Sequence, residues 1–342
     1  MRYLRRLCVR TVSGFLCSVI LSIAAEADTT HYPLTIENCG TELTFAAAPQ
    51  RAVVLGQANV EVLYSLGLSE KVVGTAVWFG PVLPDYAAAN AKIRRLADND
   101  PSFESVIAQR PDLISAQYQW HIGSRGSVGR PEQFSALGIP AYVAPADCAA
   151  KDNSGGGDGV RTAPLTMAPI YQEIDDMAAV FDIQERGEAL IARLQQREKN
   201  AIASIAGTPK DLPVLFWFSS RDVKGDPFVA GSNGAPAYIM NALGERNVIT
   251  VNDEWPTVSW ESIVAANPAV IVVARMDRRR FPADDIEVKL HFLNTDPVVS
   301  QLDAVHKKHI VVMDAQAMNP GMRMIDGIEV LANSIRSFDD AP

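Results

Sequence analysis

The sequence predicts an α/β protein of two Rossmann-like lobes, each built on a mainly parallel sheet, joined by one long rigid α-helix. Three observations carry this. Residues 102–114 and 259–271 match position for position without a gap, from Ser102-Phe103-Glu104-Ser105 and Ser259-Trp260-Glu261-Ser262 through to Ile114 and Ile271, so one helix–strand unit occurs twice. Between the copies, residues 183–206 set Ile183, Leu190, Ile191, Leu194, Ala201, Ile202 and Ile205 at three-and-four spacing among Arg, Glu, Gln and Lys, the pattern of an amphipathic helix. That stretch has no proline and a single glycine, Gly187, and Gly207 with Pro209 ends it; at 1.5 Å per residue it is about 35 Å long. On either side, strands alternate with helices, which implies parallel sheets covered on both faces.

Residues 1–27 read as a signal peptide. Arg2, Arg5, Arg6 and Arg10 precede the apolar run Val12–Ile23, and Ala25-Glu26-Ala27 has a small-x-small cleavage form. The run is short of the ~20 apolar residues of a membrane span. Bulky Leu16 ahead of Cys17 argues against a lipid-modified cysteine. The first lobe then spans 28–182, the linking helix 183–206 and the second lobe 207–342.

In the first lobe, residues 32–47 suggest a hairpin turning at Asn38-Cys39-Gly40. Arg51–Leu55, Val72–Val77, Leu113–Ala116 and Ile139–Val143 read as strands, with helices over Asn59–Leu66, after Pro101 and at Phe134–Leu137. Lys151–Arg161, containing Gly155-Gly156-Gly157, reads as a mobile surface loop without the strand and helix that a phosphate loop requires. In the second lobe Val214–Phe216, Val248-Ile249, Val270–Val273 and Ile310–Met313 read as strands. Tyr238–Leu243 and Ile325–Ile335 read as helices.

The whole chain carries a formal charge of −9, and removal of residues 1–27 leaves 27 basic and 39 acidic residues, a charge of −12. Such an acidic exported chain is a poor partner for nucleic acid or an anionic membrane surface. It is expected in the periplasm, as a monomer. Cys39 and Cys148 remain, and in an oxidising compartment they are expected to form a disulfide, the alternative being two inert thiols.

In open parallel sheets, ligands bind beyond the carboxyl ends of the strands. There the sequence places Trp78 and Phe79, then Tyr118 and Trp120, then Trp217 and Phe218, then Arg275, with Trp255 in a neighbouring loop. Both lobes contribute, so the expected site is the cleft between them. Aromatic rings and arginines suit a bulky ligand with negative charge. The run Arg278–Arg280 reads as a solvated loop, and His306 with His309 as exposed and idle. Glu104 and Glu261 hold equivalent places at the second residue of their helices, where the helix dipole favours a carboxylate. As a symmetric pair they can also face a partner with two basic sockets. The sequence has no Gly-x-Ser-x-Gly elbow, and its motifs assemble no convergent His/Asp/Glu set, so a secreted metal-dependent enzyme is a remote alternative, as is an adhesive module. No cofactor and no metal site is expected.

Several segments resemble the periplasmic binding proteins of iron–siderophore, haem and cobalamin ABC importers. They are Pro49–Val54, Glu61–Gly74, Phe103–Ile114 and Trp260–Pro268. The resemblance implies two lobes bridged by one long helix, and a solute delivered to an inner-membrane ABC permease dimer. It implies that Glu104 and Glu261 dock on arginines of that permease. It places Trp78 and Trp255 where cobalamin-binding relatives have ligand-contacting aromatics, and Arg323 near the cleft. Haem-binding relatives have a tyrosine ligand just before the docking helix, and Arg95–Asp100 contains none. The expected ligand is a ferric siderophore, with cobalamin the alternative.

Overall fold

The computed structural model describes residues 29–339; the expected signal peptide lies outside them. Two five-stranded sheets form. In the first, the spatial order is Arg95–Ala97, Val72–Ala76, Ala52–Leu55, Leu113–Ala116, Ala141–Val143, all parallel. In the second, Pro213–Ser219 is followed by Val270–Arg275 and Ile310–Asp314, again parallel, and the short strand Arg246–Asn247 runs parallel on the other side of Pro213–Val214. The strands that the repeat makes equivalent therefore occupy the same places in both sheets. An antiparallel strand, Phe228–Val229, is added at the carboxyl end of Pro213–Ser219.

The duplication extends to backbone detail. Ser102 and Ser259 each cap their helix, accepting from Ser105 N at 3.2 Å and Ser262 N at 3.3 Å. The equivalent residues Arg110 and Asn267, each before a proline, both adopt left-handed φ, 51° and 41°. Gly67 and Gly244, each closing a helix, have φ of 76° and 77°, a conformation that glycine adopts without steric cost.

The predicted linking helix forms over Gln184–Ser204 and buries Gly187, Leu190, Leu194 and Ala201. Ahead of it stands a helix that the sequence reading does not contain, Ala168–Val180. The two pack closely because Gly187 has no side chain: a Cβ there would lie 2.6 Å from Ala178 Cβ. Arg197 near the far end of the linking helix pairs with Asp326 and Glu329 of the closing helix Met324–Asp339, both at 2.6 Å. One apolar cluster, containing Val54 and Tyr142 of the first lobe with Phe216 and Val272 of the second, runs through these helices.

The predicted hairpin forms as Leu34–Asn38 against Thr41–Phe45, with Asn38 opposite Thr41. Positive φ at both Cys39 and Gly40 suits a two-residue turn whose twist matches the strands. Cys39 is bonded to Cys148, 109 residues on, with Cα atoms 5.6 Å apart. Closing a loop of that length contributes roughly 4–5 kcal/mol in the chain-entropy model. Three features differ from the expectations above or add to them. Val248-Ile249 is not a strand; pairing stops at Asn247. A ten-residue helix, Ile286–Thr295, occupies a segment left unassigned. His309 is engaged, its Nδ1 3.2 Å from Ala269 O and its ring stacked 4.1 Å from Phe338.

Candidate functional site

Residues just past the carboxyl ends of strands in both sheets border one recess of about 510 Å³, a figure that includes the part open to solvent. The first lobe contributes Tyr118 and the second Trp255. Tyr118 stacks on Trp120, centroids 4.3 Å apart and 9° from parallel, and its hydroxyl accepts from Gln117 Nε2 at 3.0 Å. Trp120 is anchored in turn by donating from Nε1 to His121 Nε2 at 2.7 Å. Burial, with the nearby Asp158, Asp147 and Glu254 carboxylates, pushes the Tyr118 phenol well above its usual range. It therefore acts as a neutral aromatic platform and hydrogen-bond donor. Trp255 stacks on Phe218 at 4.4 Å and 29°.

Other predicted contacts are turned away. Trp78 is 2% exposed. Val77 before it takes φ 63°, which directs the indole back into the lobe, where Nε1 donates to Thr75 Oγ1 at 3.1 Å and Arg95 covers the ring at 4.8 Å. Trp217 is fully buried because its strand runs on to Ser219. Side chains alternate along a strand, so Trp217 packs edge-on against Trp260 at 5.0 Å while Phe218 meets Trp255.

The arginines are mostly engaged within the protein. Arg323 pairs through Nε and Nη2 with both carboxylate oxygens of Glu61, the Nε–Oε2 distance being 2.8 Å, and both residues are buried. Arg323 Nη2 also donates to Pro81 O at 2.9 Å. This arginine ties the lobes together and is not free for a ligand. Arg278, expected in a solvated loop, reaches the first lobe and donates to Trp78 O at 2.5 Å and Asp98 O at 2.7 Å. Arg275 is exposed, with its nearest carboxylate, Asp314, 4.0 Å away.

The glycine-rich segment is built, contrary to the expectation of a mobile loop. Lys151–Asp152 pairs antiparallel with Val160–Arg161, three residues after the disulfide cysteine. Arg161 donates to Ala146 O and Ala149 O of its own lobe and to Glu254 Oε1 of the other at 2.9 Å. The Lys151 ammonium lies 2.8 Å from Asp147, 3.2 Å from Asp158 and 3.8 Å from Glu254. The hairpin thus borders the recess and latches to the residue beside Trp255. Lys151 and Arg161 flanking the glycines were visible in the sequence, but nothing local points to Glu254, 93 residues from Arg161.

Two buried residues that line the recess each leave one side-chain oxygen unpaired. Asn59 donates from Nδ2 to Ser115 Oγ at 2.9 Å, while its Oδ1 is unpaired. Glu173, 3% exposed, leaves Oε1 unpaired. Burial, and to a lesser extent Asp176, pushes its carboxyl up to about 8. Among the described residues, no three His, Cys, Asp or Glu converge to hold a metal ion, and no helix is long and apolar enough to cross a membrane.

On the outer surface, Glu104 and Glu261 are both exposed in the first turn of their short helices.

The sequence profile described as periplasmic binding protein matches residues 53–317. The chain belongs to the periplasmic binding protein family. It is 23% identical over 315 residues to the uncharacterized ABC transporter substrate-binding lipoprotein YvrC of Bacillus subtilis, covering 91% of this chain and 88% of that one. It is 22% identical over 232 residues to a vitamin B12-binding protein of Yersinia pestis, covering 67% and 71%. Its fold matches an ABC-type Fe3+-hydroxamate transport system structure from Saccharomonospora viridis with a TM-score of 0.68 and 25% identity, over 89% of this chain and 99% of that one. This periplasmic binding protein is a substrate-binding component of an ABC transporter, which hands its solute to a membrane permease.

Proposed function

We propose that this binding protein captures a ferric siderophore in the recess between its lobes and delivers it, as a monomer in the periplasm, to an inner-membrane permease, with no catalytic step. The observation that carries the reading is the convergence of Tyr118 and Trp255, one from each lobe, on a single recess. Tyr118 and Trp255, held by stacking on Trp120 and Phe218, offer flat apolar area to a bulky chelate. Glu104 and Glu261 support the delivery step, since matched exposed carboxylates on equivalent helices suit two basic sockets of a two-fold permease. The similarity to the Fe3+-hydroxamate system supports an iron chelate as cargo. Similarity to the vitamin B12-binding protein favours cobalamin as the second reading.

Titration with ferric siderophores and with cobalamin, followed by tryptophan fluorescence, tests this, because Trp255 borders the recess. Saturable quenching by a ferric chelate is the expected result. Quenching by cobalamin alone selects the second reading, and no response to any of them overturns the assignment.

A further inference from the structure

Resting on that reading, we infer that the recess selects ferric chelates that are neutral or positively charged, as hydroxamate complexes are, over the triply negative catecholate complexes.

The charge facing the ligand differs from what the arginine count of the sequence suggests. Arg323 is paired with Glu61 and Arg161 with Glu254, while Arg275 and Arg278 keep their charge but do not line the recess. What borders the recess is the trio Asp147, Asp158 and Glu254 around the single ammonium of Lys151. With Arg161 counted against Glu254, the cluster keeps a formal excess of one negative charge. Asn59 and Glu173 line the same space and add no positive charge.

Ligand chemistry sets the contrast. Each hydroxamate arm loses one proton on binding iron(III), so three arms give a neutral complex, and a pendant ammonium makes it a cation. Each catecholate arm loses two, leaving three negative charges on the complex. Brought beside Asp147, Asp158 and Glu254 and partly stripped of water, that complex meets repulsion with no arginine in the lining of the recess to offset it.

The test is fluorescence titration with three probes: ferrioxamine B (a cationic trihydroxamate complex), ferrichrome (a neutral one) and ferric enterobactin (a tris-catecholate). Both hydroxamates are expected to bind at least about tenfold more tightly than the catecholate, a difference of one decade in Kd. Asp158→Lys, on a side chain at the rim, is expected to narrow or invert the gap, and added salt to narrow it. Equal or tighter binding of ferric enterobactin overturns the charge preference and leaves the siderophore reading standing. Binding of no probe overturns both.

Discussion

Glu61 and Arg323 join the two lobes by a two-point ion pair between side chains that are both buried, one on the first helix of the first lobe and one just before the closing helix. Removing one partner of such a pair leaves the other buried and uncompensated, at a cost of about 3–5 kcal/mol. Arg323→Met and Glu61→Gln should each lower the urea midpoint accordingly. The double variant should lose less than the sum of the two, because neither charge is then left alone. Additive losses in the double-mutant cycle would contradict the pairing.

Glu104 and Glu261 lie on the outer surface, away from the recess. Glu104→Ala and Glu261→Ala should therefore abolish uptake in a reconstituted transporter while leaving solute affinity within about twofold, since exposed substitutions remote from a site perturb it little. A collapse of affinity in either variant would contradict this placement.

Glu173 gives a pH dependence with a definite sign. Its carboxyl is raised from an ordinary 4.5 to about 8, so between those values the folded chain holds a proton that the unfolded chain has released. Stability from this group is complete below pH 4.5 and is lost as pH rises through 8, by at most about 4–5 kcal/mol. Glu173→Gln mimics the protonated acid. Its thermal midpoint should exceed that of the parent protein at pH 8.5 and match it near pH 5, and a constant difference across that range would contradict the assignment.

Much of the fold was legible because it is local and repeated. The spacing of Leu190, Leu194 and Ala201 defined the linking helix, and the Ser-aromatic-Glu-Ser repeat located both capped helices. The site was less legible, for two physical reasons. Which face of a strand a tryptophan takes depends on where the strand ends and on single backbone angles. Trp217 sits in a strand longer than expected, and the left-handed turn at Val77 sends Trp78 inward. The second reason is distance along the chain: Glu61 with Arg323 and Arg161 with Glu254 are contacts between lobes, and no local spacing announces them. Tyr118 was readable at a strand exit, and Trp255 in the turn-rich loop beside the second repeated helix.

The most direct test of the account is the affinity of Tyr118→Ala and Trp255→Ala for a ferric trihydroxamate, measured by calorimetry beside the parent protein. The account predicts that each substitution weakens binding by about tenfold or more, as loss of a stacked aromatic contact does. Unaltered affinity in both variants would contradict a ligand site shared between the lobes.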